Sequence, residues 1–82
     1  MRYVRRIKHL PVEILMAVAQ NPRQKSPAVL FGHIVYHRNG LVERIGGPAV
    51  IAPNWTKWYC EMGILRRRNG AAYIRRDGHQ EW

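Results

Sequence analysis

Few residues in this chain have the chemistry to make or break bonds. His33 and His37 stand four apart, and Cys60 is the only cysteine. Imidazole and thiolate are zinc ligands. Four residues along a strand, however, set the two rings about 13 Å apart, too far for one ion to bridge. Both histidines therefore read as structural, and Cys60 reads as a small core residue. Ser26 and Thr56 are the only hydroxyl side chains of their kinds, and neither sits in the glycine-flanked turn of a nucleophile elbow. Glu13, Glu43, Glu61, Asp77 and Glu81 are scattered and mostly fall near predicted turns, with no spacing that makes an acid and base pair. No glycine-rich loop opens a helix to cradle a phosphate. The expectation is a protein that is not an enzyme and holds neither cofactor nor metal.

Arginine is what remains. Fourteen Lys and Arg stand against five Asp and Glu, a formal charge of +9 over 82 residues. A surface this basic attracts polyanions. The arginines cluster beside aromatic residues: Arg2, Arg5 and Arg6 around Tyr3, then Arg66-Arg67-Arg68, then Arg75-Arg76 after Tyr73. Strand alternation sends Arg66 and Arg68 to one face and Arg67 to the other. Arg5, Arg6, Arg66, Arg68, Arg75 and Arg76 are the expected partner-binding surface, since guanidinium forks pair with carboxylates and phosphates alike. Arg44 and Arg67 are expected to be structural, pinning turn carbonyls or packing on rings. Trp55 and Tyr73 are the expected aromatic contacts, and Trp58 and Trp82 are expected in the core. The partner classes are a host protein, or a protein–nucleic-acid complex, with an acidic face, and alternatively DNA or RNA directly.

These residues need elements to position them. Pro11 suits the first turn of a helix, Val12 to Gln20 supplies the helix, and Asn21-Pro22 ends it. That helix is apolar nearly all round, so it is expected to be covered on more than one side, by the core and by a second copy if the protein dimerises there. Beyond a short basic linker the pattern becomes short strands cut by turns. Ala28 to Tyr36 reads as one strand with Gly32 at a bulge. Asn39-Gly40 is a hairpin turn, and further turns fall at Gly46-Gly47, Pro53-Asn54, Met62-Gly63, Asn69-Gly70 and Asp77-Gly78. The predicted fold is α+β, mostly β: a meander of antiparallel hairpins with one N-terminal helix. Residues 1–25 form the arm, helix and linker, and 26–82 the hairpins, in one small domain. No apolar run reaches the roughly 20 residues a membrane span needs, and a single cysteine suits a reducing, cytoplasmic setting.

The strand region also matches itself at an offset of 23. Tyr36 falls on Tyr59, Gly40 on Gly63, Arg44 on Arg67, Gly47 on Gly70, Ala49 on Ala72 and Ile51 on Ile74. Such self-similarity marks stacked units. The run from Asn39-Gly40 through Arg44 to Gly47-Pro48-Ala49, with Trp58-Tyr59 after it, resembles the MORN-like repeats of tailed bacteriophages and large DNA viruses. That pattern has His and Asp where this chain has Glu43 and Gly46. The resemblance covers the last 45 residues or so and implies two to three hairpin repeats, an interaction scaffold without a reaction, and a viral source. A small phage protein that inhibits a host complex by occlusion is the function it implies.

Overall fold

A computed structural model of the chain describes residues 10–82. Helix α1 (Val12–Gln20) has Pro11 as its N-cap residue and Glu13 in its first turn, where a carboxylate faces the positive end of the helix dipole. Ile14 and Val18, one turn apart, are fully buried, each contributing about 1.5–3 kcal/mol of apolar transfer. Val12 and Met16 remain exposed on the far side, so the core covers one stripe only.

Ten short strands follow: β1 (Ala28–Leu30), β2 (His33–Val35), β3 (His37–Arg38), β4 (Leu41–Val42), β5 (Val50–Ile51), β6 (Lys57–Trp58), β7 (Cys60–Glu61), β8 (Ile64–Leu65), β9 (Tyr73–Ile74) and β10 (Gln80–Glu81). Six of them form one antiparallel sheet in the order β1-β2-β5-β6-β9-β10, while β3-β4 and β7-β8 are separate hairpins. Strand alternation splits the sheet into two rows. Val35, Val50, Trp58 and Tyr73 lie opposite one another on the inner face and are buried. On the outer face Val29, Ile34, Ile51, Lys57, Ile74 and Gln80 form the matching row.

The 23-residue offset recurs in the backbone bonds. The Tyr36 N–H donates to the Ala49 carbonyl at 2.7 Å, and Tyr59 to Ala72 at 2.8 Å. Glu43 donates to Tyr36 O, and Arg66 to Tyr59 O. The pairs His37↔Val42 and Arg38↔Leu41 reappear as Cys60↔Leu65 and Glu61↔Ile64. Asn39 and Gly40 both take positive φ, and so do Met62 and Gly63, as a two-residue hairpin turn requires. These two hairpins stack. A Cβ on Gly40 would touch Pro22 and Ala19 at the end of α1, and one on Gly63 would touch Leu41 of the first hairpin. Helix α1 therefore closes one end of the hairpin stack.

Two strand expectations change. Ala28 to Tyr36 is a hairpin, with β1 and β2 joined at Phe31-Gly32, both at positive φ; phenylalanine occupies a turn position that carries no sequence signal. Trp82, expected in the core, is exposed at 78%; it lies just past the edge strand β10 and outside the buried inner row. Among the described residues no helix is long and apolar enough to cross a membrane.

A candidate docking surface

Tyr36 and Tyr59 fix the arginines that the repeat aligns. The Arg44 guanidinium lies 3.9 Å from the Tyr36 ring centroid, and Arg67 lies 3.9 Å from that of Tyr59. Arg44 Nη1 donates to Pro48 O and Arg67 Nη1 to Ala71 O, each at 3.3 Å. The opposite face of each guanidinium rests on a glycine. A Cβ on Gly47 would sit 3.0 Å from Arg44 Cζ, and one on Gly70 would sit 2.7 Å from Arg67 Nη1. Gly47 is required by the stacked guanidinium, since its own φ is not positive, whereas Gly70 meets its guanidinium and also takes φ +156.

Between the two hairpins runs a groove of about 790 Å³. Arg38, Arg44, Arg66, Arg67 and Arg68 line it, against Glu43 and Glu61 as the only carboxylates of the lining. Glu43 is fully engaged. It pairs with Arg38, and its Oε1 accepts the Met62 N–H at 2.8 Å, tying the first hairpin to the turn of the second. Glu61 sits between Arg66 Nε at 3.7 Å and Arg68 Nε at 3.4 Å. The Arg66 and Arg68 side chains are 59% and 76% exposed. The lining also holds Ile45 and Met62, which are 83% and 67% exposed. The groove is thus basic with apolar lips.

Arg75 and Arg76 lie elsewhere, in a cleft of about 450 Å³ with Asn54, Thr56 and Asp77. This cleft is formed by two matching turns. Thr56 N–H donates to Asn54 Oδ1, and 23 residues on His79 N–H donates to Asp77 Oδ1. Asp77 also takes a two-point contact from Arg75, with Nε at 3.3 Å and Nη2 at 2.6 Å. The Arg75 side-chain bond and the His79 backbone bond hold the Asp77 carboxyl down at about 2. The same bond pushes the Arg75 pKa up. Trp55 occupies the third loop position of its turn at φ +71, where Gly78 has φ +93 in the matching turn, and it is 61% exposed.

Of the expected contact residues, Arg66 and Arg68 converge on one groove, and Arg75 and Arg76 on another cleft, whose walls include Asn54 and Thr56, the chain neighbours of Trp55. Arg5 and Arg6 lie outside the described residues. Tyr73 is not a surface contact. It is buried at 6%, 5.7 Å from the Trp58 ring, and burial raises its pKa first of all; strand alternation turns it inward, in line with Trp58. Arg38, Ile45 and Met62 also line the groove and lie outside the expected set. Asn39-Gly40 carried a turn signal that places Arg38 beside it, whereas the exposure of Ile45 and Met62 had none.

His33 and His37 are tied to nearby backbone, and Cys60 is buried. His37 is buried and its N–H donates to Ser26 Oγ at 3.0 Å, while its Nε2 lies 3.1 Å from Lys25 O. His33 Nδ1 contacts Phe31 O at 2.8 Å. Burial pushes the Cys60 thiol up to about 12. Among the described residues no three His, Cys, Asp or Glu side chains gather as a metal site would require. No protein family, curated protein or solved structure matches the chain.

Proposed function

We propose that this is a non-enzymatic binding protein of the MORN-like repeat type, a small phage accessory protein that lays its basic groove on an acidic surface of a host protein complex and acts by occlusion. The groove carries this reading: five arginines in the lining among the described residues, with Ile45 and Met62 exposed beside them. Guanidinium groups steer and orient an acidic partner, while exposed aliphatic side chains gain energy only against an apolar surface that excludes water. A bare phosphate backbone offers nothing to the isoleucine or the methionine. The repeat reading draws its support from the hydrogen bonds that recur 23 residues apart. The phage setting draws its support from the sequence resemblance, and a host target places the protein in the host cytoplasm.

A second reading, sequence-nonspecific DNA or RNA binding, is favoured by the other cleft. There Trp55 stands exposed in the turn that also supplies Asn54 and Thr56 to the walls around Arg75 and Arg76, and an exposed ring beside guanidiniums is what base stacking uses.

Binding of a mixed-sequence oligonucleotide at rising salt separates the two. Micromolar affinity with a steep log–log slope favours nucleic acid. Absence of binding at low salt, with capture of an acidic protein from nuclease-treated host lysate, favours the groove. Micromolar oligonucleotide binding combined with an empty capture would overturn the docking proposal.

A further inference from the structure

The ion pairs of the groove and cleft differ in how tightly they hold their carboxylates. Asp77 receives two side-chain bonds from Arg75 and one from a backbone amide. Glu43 receives Arg38 and the Met62 amide. Glu61 is the loose one. Its contacts at 3.7 and 3.4 Å both go to Nε atoms, well beyond the 2.6 Å at which Asp77 takes its shorter bond from Arg75. Each contact uses one edge of a guanidinium that carries five donors, and both arginine side chains are mostly exposed. Exposed pairs of this kind are worth about 0–1 kcal/mol.

Building on the docking reading, we propose that Arg66 and Arg68 form a carboxylate clamp which the protein's own Glu61 occupies loosely, and that a glutamate or aspartate side chain of an acidic partner peptide displaces Glu61 to bind there. Glu61 lies on β7, and Arg66 and Arg68 follow the partner strand β8, so the hairpin brings all three together without any other element. An incoming carboxylate meets two guanidiniums already held about one carboxylate, and it can take the paired, fork-on-fork geometry that Glu61 does not reach. Glu61 keeps the two like charges compatible while the clamp awaits a partner. Ile45 and Met62, on the same groove, then meet the apolar residues that flank the partner's acid. Glu61 is therefore an internal competitor, and its removal strengthens acidic-peptide binding.

The test is a titration with a fluorescent hexaglutamate peptide at fixed ionic strength, comparing the intact chain with Glu61→Gln, Glu13→Gln and the double variant Arg66→Ala/Arg68→Ala. Glu13 lies on α1 outside the groove lining, and its substitution removes the same single charge. Thermal unfolding of each variant confirms that the fold is kept. Displacement predicts that Glu61→Gln binds about three- to tenfold tighter, the range expected from losing two weak ion-pair contacts. Glu13→Gln stays within about twofold, since screening limits distant charges. The arginine double variant loses binding. If Glu61→Gln gains no more than Glu13→Gln while the arginine variant still loses affinity, displacement is overturned and the docking reading survives. If loss of both arginines changes nothing, or no protein binds the peptide, both fail. If mixed-sequence single-stranded DNA gains equally from Glu61→Gln and binds more tightly than the peptide, the clamp is a phosphate site and the carboxylate assignment is overturned.

Discussion

The Arg67 guanidinium lies between the Tyr59 ring, 3.9 Å from its centroid, and the Cα of Gly70, where a Cβ would come within 2.7 Å of Nη1. Arg44, Tyr36 and Gly47 make the same sandwich one unit earlier. A planar cation between a ring and a bare backbone is a brace that lysine cannot reproduce, because an ammonium has no flat face. Arg67→Lys should cost about 0.5–1 kcal/mol for the lost ring contact, plus the bond to Ala71 O. Gly70→Ala should cost more, because it pushes the guanidinium off the ring and also puts a side chain at φ +156. The double variant should fall well short of the sum, because each change breaks the same contact. Chemical denaturation of the four proteins measures this, and simple additivity would remove the brace.

Trp55 should be worse for stability than the residue its matching turn uses. A side chain in the left-handed region costs about 1–2 kcal/mol, and glycine returns about 0.5–1 kcal/mol of that as chain entropy. Trp55→Gly should therefore raise stability by up to about 1 kcal/mol. If Trp55 is a contact residue, the same change weakens partner or oligonucleotide binding. A variant that is less stable would show that the indole packs in the folded protein.

The Asp77 carboxyl, held at about 2 against an ordinary 3.8, ties stability to acid. A folded value below the unfolded one means that the stabilisation is complete above the ordinary value and disappears as pH falls through about 2. The intact chain should lose stability across that window more steeply than Asp77→Asn, which has no carboxyl there to titrate. Thermal unfolding from pH 5 to pH 2 checks it, and parallel acid limbs for the two proteins would contradict the bond pattern at the turn.

Cys60 should be inert in the folded chain. Its thiol, buried and pushed up to about 12, is protonated at neutral pH and shielded from reagents. Reaction with a disulfide reagent should follow unfolding and accelerate sharply in denaturant. Rapid labelling of the native protein would show that the second hairpin opens readily.

The recurring parts of this molecule were legible in its sequence, and the joints between them were not. Tyr36 with Arg44 and Tyr59 with Arg67 match at one offset, and the geometry repeats with them. Met62-Gly63 was readable as a turn because it falls on Asn39-Gly40. Phe31-Gly32 had no such guide, and a phenylalanine at positive φ looks like strand to any propensity argument. Arg75-Arg76 after Tyr73 suggests a surface ring; its inward direction comes from the register with Trp58. The basic clusters were visible, but their division between a groove and a separate cleft depends on how the hairpins stack. That stacking is set by contacts such as Gly63 on Leu41, between residues far apart in the chain.

The most direct measurement compares two equal losses of charge. Arg66→Ala/Arg68→Ala strips the groove, and Arg75→Ala/Arg76→Ala strips the other cleft, each removing two guanidiniums. Titrated with hexaglutamate at physiological salt, the groove variant should weaken by about tenfold or more, as the loss of charge-assisted bonds requires, while the cleft variant stays within about threefold. Equal losses from both variants, or a larger loss from the cleft, would contradict a docking site between the two hairpins.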